Sequence, residues 1–112
     1  MTPDGMSPMS TRAWVLRVLA SDSRQAGEEL HVESASIIGR EQGCGILLDD
    51  KSVSRQHARV DVTPEGVRIT DLNSGNGVWM GAERVTERLL GPGQAFRVGS
   101  TVFEVRSGPG EV

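Results

Sequence analysis

Apolar and polar residues alternate with a period of two along most of this chain. Trp14, Leu16 and Val18 alternate with Val15, Arg17 and Leu19, and Ala58, Val60 and Val62 with His57, Arg59 and Asp61. Val67 and Ile69 alternate in the same way with Arg68 and Thr70. Successive side chains of an extended backbone point to opposite faces, so this pattern predicts strands with one buried face. Turn residues separate the runs. Thr63-Pro64-Glu65-Gly66 predicts a hairpin, Gly91-Pro92-Gly93 a break, and Gly99-Ser100 a two-residue turn into a strand over Thr101–Val105. Ala82–Leu90 is ambiguous, because Val85 and Leu89 stand four apart, as on one face of a helical turn. The glycines at 81 and 91 leave room for a short helix at most, and an irregular strand is expected. Many short strands at this spacing predict an all-β sandwich or barrel.

Length and composition narrow the picture. The chain of 112 residues fits one domain and can bury a core without covalent staples. Residues 1–12 and 107–112 are poor in apolar residues and rich in Pro, Gly and Ser, and read as flexible tails around a domain over 13–106. The single cysteine, Cys44, forms no internal disulfide, and its glycine neighbours supply no second ligand for a metal. No metal or cofactor is expected. A net charge of −3 gives no reason to expect a nucleic-acid or membrane partner. No apolar run approaches a membrane span, and the N-terminus lacks the basic and apolar regions of a signal peptide, so a cytoplasmic location is expected. Eleven Arg against one Lys hints at a GC-rich bacterial source. His31 follows Leu30 in a predicted strand and reads as a surface residue.

Three polar, glycine-rich groups stand between the predicted strands: Gly39-Arg40, then Ser54-Arg55-Gln56-His57, then Asn73-Ser74-Gly75-Asn76-Gly77. They place two guanidiniums, a hydroxyl and an amide on loops of a β scaffold, where binding groups usually sit. A planar, permanently charged fork beside a hydroxyl and free backbone N–H groups suits an oxyanion, above all phosphate. Ser54 lies 14 positions after Arg40, His57 three after Ser54, and Asn76 19 after His57. This order, Gly-Arg, then Ser-x-x-His, then Asn-Gly, resembles the forkhead-associated (FHA) family. The segment Asp71-Leu72-Asn73-Ser74-Gly75-Asn76-Gly77 is similar to that family's Asp-Leu-x-Ser-x-Asn-Gly. The likeness runs from about Trp14 to Val105.

The resemblance implies an all-β, FHA-like sandwich of two antiparallel sheets with its binding loops at one end. It implies that Arg40, Ser54 and Arg55 contact a phosphate and that Asn76 holds the main chain of a bound peptide. Gly75 takes the place of a residue that lines the phosphothreonine pocket, often with a side chain. His57 would buttress the loop carrying Ser54, with Gly39 and Gly77 as supporting backbone positions. Val78 and Gly81-Ala82 depart from the family's usual Thr and Asn-Gly. The reading that follows is a non-enzymatic module that binds a phosphothreonine-containing protein or peptide written by an upstream Ser/Thr kinase. A second reading keeps the fold and drops the phosphate, since Gly75 offers no side chain. A third, from another class, is a small hydrolase with Ser54 as nucleophile, His57 as base and Asp71 completing a triad. No Gly-x-Ser-x-Gly elbow surrounds Ser54 to support it.

Overall fold

A computed structural model describes residues 14–107, and these form eleven strands and no helix. In chain order they are β1 (Trp14–Ala20), β2 (Glu29–Val32), β3 (Ser36–Gly39), β4 (Ile46–Leu47), β5 (Ala58–Thr63), β6 (Gly66–Asp71), β7 (Val78–Met80), β8 (Glu83–Val85), β9 (Glu87–Leu90), β10 (Ala95–Val98) and β11 (Thr101–Ser107). One sheet has the order β2-β1-β11-β10-β7-β8, the other β4-β3-β5-β6-β9. The tails expected over 1–12 and 108–112 lie outside the described residues. Ser107, expected in the C-terminal tail, instead pairs with Trp14 at the end of β11.

The inward sets of the alternating runs meet between the sheets. Trp14, Leu16, Val18, Phe96 and Phe103 come from the larger sheet, and Ile38, Val60, Ile69 and Leu90 from the smaller; all are buried. Each such side chain contributes on the order of 1.5–3 kcal/mol by leaving water. Phe96 and Phe103 are direct cross-strand partners with ring centroids 5.2 Å apart. The Trp14 indole N–H donates to the Thr63 carbonyl at 2.9 Å and pins the two sheets together. Leu19 falls at a register shift in β1 and is 45% exposed, marking where the chain leaves the sheet.

Two expectations are refined. All pairings are antiparallel as expected except one, because β3 and β4 run parallel, Ile38 opposite Ile46. Loop 40–45 therefore carries the chain out and back instead of forming a hairpin, and Arg40 stands at its start. The irregularity of Ala82–Leu90 is a sheet switch. β8 pairs with β7 in the larger sheet and β9 with β6 in the smaller, so Val85 and Leu90 are both buried while Thr86 bridges the layers. The Thr86 carbonyl accepts from the Asp71 N–H at 2.8 Å, which anchors the crossing. His31 is exposed on β2, as expected.

Candidate functional site

The three polar groups lie on loops 40–45, 48–57 and 72–77, and the hydrogen bonds between them are dense. The middle loop is the hub. Arg40 N–H donates to the Ser54 carbonyl at 3.1 Å and Glu41 N–H to the Arg55 carbonyl at 3.2 Å. This backbone approach explains Gly39: a Cβ there would collide with the Arg55 carbonyl. Arg40 Nε donates to the Val53 carbonyl at 2.9 Å, which aims the exposed guanidinium and leaves Nη1 and Nη2 uncommitted. Arg55 is exposed, and its guanidinium has no partner among the described residues.

Ser54 is held on three sides. Its N–H donates to His57 Nδ1 at 3.0 Å, its carbonyl receives Arg40, and its Oγ accepts the Gly75 N–H at 3.1 Å. The hydroxyl proton remains to be donated outward. Gly75 thus spends its N–H on Ser54 and does not point it at a ligand. A Cβ at Gly75 would meet nothing within 4 Å, so that position is open.

His57 is 0% exposed. Its Nδ1 faces an N–H donor, so the ring proton sits on Nε2, which donates to the Gly77 carbonyl at 2.8 Å. The ring therefore ties the Ser54 loop to the Asn76 loop. It also rules on the hydrolase: both ring nitrogens are used on backbone, and Asp71 accepts from Ser74 N–H and Oγ, not from His57. Ser54, His57 and Asp71 assemble no triad.

Asn76 Nδ2 donates to the Ser52 carbonyl at 2.8 Å, and the Trp79 indole N–H donates to the Asn76 carbonyl at 2.8 Å. Oδ1 stays open to accept from a peptide, and the second Nδ2 hydrogen remains to donate. Gly77 has φ +86°, and the Arg84 guanidinium occupies the space its Cβ would need. Arg84 Nη2 reaches the Ser74 carbonyl at 3.3 Å.

Several supporting residues carried no signal in the sequence beyond their place in a motif. Ser74 is buried and accepts the Gly77 N–H at 2.9 Å, closing the last loop on itself. Asp50 accepts from Ser52 N–H and Oγ and from Ser100 N–H and Oγ, at 2.6–2.9 Å, which joins the Ser54 loop to the β10–β11 turn. Burial alone would raise its pKa. The hydrogen bonds from Ser52 and Ser100 outweigh that and hold its carboxyl well below the usual carboxylate range. Trp79 and Arg84 were also missed, because only the folded β7–β8 hairpin brings them under the loop. A recess of about 780 Å³ opens between residues 23–28, Leu47 and Asp49, and none of the three groups lines it. Among the described residues, no helix is long and apolar enough to cross a membrane.

Comparison with known proteins places this architecture. The family described as "Inner membrane component of T3SS, cytoplasmic domain" matches residues 17–108. The FHA domain-containing protein FhaB of Mycobacterium tuberculosis is 32% identical over 75 residues, covering 66% of this chain and 48% of FhaB. The chain thus spans about half the length of the curated relatives it matches. Among solved structures, the FHA domain of the CT664 protein from Chlamydia trachomatis is 33% identical, with a TM-score of 0.73 over 86% of this chain and 98% of that one. A domain from a structural and functional analysis of phosphothreonine-dependent FHA domain interactions is 31% identical, with a TM-score of 0.73 over 87% of this chain and 98% of that one.

Proposed function

The chain belongs to the FHA family, and from that premise we propose that it binds phosphothreonine-containing segments of partner proteins through Arg40, Ser54 and Arg55. One observation carries this reading. Arg40 and Ser54 are fixed by internal bonds through part of their side chains and keep further donors free, Arg40 Nη1 and Nη2 and the Ser54 hydroxyl, while Arg55 is held by its backbone carbonyl and leaves its whole guanidinium free. A phosphate dianion brings about −1.5 to −2 charge and three acceptor oxygens. Preplaced donors replace its water without having to be ordered at the moment of binding. Asn76 Oδ1 accepts a peptide N–H beside the phosphate, and Gly75 lines the path of the peptide chain.

The module acts without catalysis, as a reader of marks written by a Ser/Thr kinase in the cytoplasm, and its folded unit includes the described residues 14–107. An oriented phosphothreonine-peptide library tests this. Enrichment of phosphorylated over unphosphorylated sequences is the expected result, and no enrichment removes the proposal. Gly75 favours a second reading, phosphate-independent binding by the same loops, because neither a side chain nor a free N–H at that position faces a ligand. Equal binding of the two peptide pools would select it.

A further inference from the structure

We propose that the outer face of β10, β7 and β8 around Trp79 is a second docking surface, which takes an acidic segment of the same phosphorylated partner. The inference rests on the phosphothreonine reading above. Arg97 lies opposite Trp79 on β7, and Trp79 lies opposite Arg84 on β8. Direct cross-strand partners project from the same face, so two arginines flank one indole. The Arg97 guanidinium carbon stands 5.7 Å from the Trp79 ring centroid, and its Nη1 donates to the Gly99 carbonyl at 2.9 Å. Both arginines are exposed, and Trp79 is half-buried.

The charge of this row is uncompensated. The ion pairs among the described residues use Arg24, Arg59, Arg68 and Arg88, and none uses Arg84 or Arg97. The other half of the same face is balanced, with Arg17 in register between Glu29 and Glu104. Glu104 itself lies opposite Ala95, two residues along β10 from Arg97, which faces Val102. A local excess of guanidiniums on a chain of net charge −3 is thus confined to the strands next to the recognition loop. The row is also continuous with that loop, since Trp79 holds the Asn76 carbonyl and Arg84 the Ser74 carbonyl. Two arginines on one sheet face, with an aromatic residue between them in register, suit carboxylates spaced along an extended chain. A bound chain advancing about 3.3 Å per extended residue would carry such carboxylates from the phosphothreonine along this row.

The test uses phosphothreonine peptides identical around the phosphate, with a Glu/Asp run or a Gly/Ser run placed several residues to either side. Exposed ion pairs are individually weak, so one acidic peptide should bind about three- to tenfold tighter than its neutral match, a gain that salt erodes. Arg97→Glu, checked for folding by circular dichroism, should abolish the gain while keeping the affinity for the neutral peptide. Equal affinity of acidic and neutral peptides on both sides overturns the docking surface and leaves the phosphate site standing. A gain that survives in Arg97→Glu also overturns it. Failure of every phosphopeptide to bind removes the phosphate reading and this inference together.

Discussion

His57→Ala is the sharpest probe of how the recognition loops are held. The imidazole is fully buried and accepts the Ser54 N–H at 3.0 Å while donating to the Gly77 carbonyl at 2.8 Å. Truncation strands both backbone groups. Gly77 is buried and Ser54 half-buried, and each unpaired group costs about 1–3 kcal/mol, less for the one water can reach. The vacated ring volume adds a cavity contribution, so a loss of about 3 kcal/mol is the expected minimum. For a domain of this size that lowers Tm by about 12–24 °C. Thermal and urea unfolding read the stability, and phosphopeptide titration well below the new Tm reads the site. Binding should be weaker even where the variant is fully folded, because Ser54 and Asn76 lose their common anchor. An unchanged Tm with intact binding would refute the reasoning and reduce His57 to filler.

Asp50 and Gly75 give two further tests. The Asp50 carboxyl is held below its unfolded value, so the folded state binds fewer protons; its contribution is complete above about pH 5 and is lost as pH falls through about 4 and below. The urea midpoint of the wild type should therefore drop on acidification more steeply than that of Asp50→Asn, and parallel acid limbs would contradict this. Gly75→Thr enters open space with no left-handed φ to strain it, so Tm should hold. A methyl-lined pocket is worth about 0.8 kcal/mol, so the preference for phosphothreonine over phosphoserine should rise about fourfold, and an unchanged ratio would show that the peptide does not pass over residue 75.

The sandwich was legible because alternation and turn residues are local properties. The sets Trp14/Leu16/Val18 and Val67/Ile69 could face only one way once a core existed. Other features depended on contacts distant in sequence. Alternation put His57 on the outward face with Arg59 and Asp61, yet it precedes β5 and lies under two loops, so it is buried. The order of the three motifs put Arg40, Ser54, Arg55 and Asn76 on loops, and the fold brings those loops together. It could not show that the Gly75 N–H and the Asn76 amide are partly spent on Ser54 Oγ and the Ser52 carbonyl. Asp50, Trp79 and Arg84 act through partners between two and 50 residues away, and no periodicity encodes such pairings.

The central claim is that a phosphate is recognised by the Arg40–Ser54–Arg55 group. Calorimetric titration of the full chain and of Arg40→Ala with one peptide, phosphorylated or not on a single threonine, tests it most directly. The wild type should bind only the phosphorylated form. Removing one partner of a charge pair that binding desolvates costs roughly 2–5 kcal/mol, so Arg40→Ala should lose about 30- to several-thousandfold in affinity with its melting curve retained. Equal wild-type affinity for both peptides, or a wild-type-like titration for Arg40→Ala, would contradict the claim.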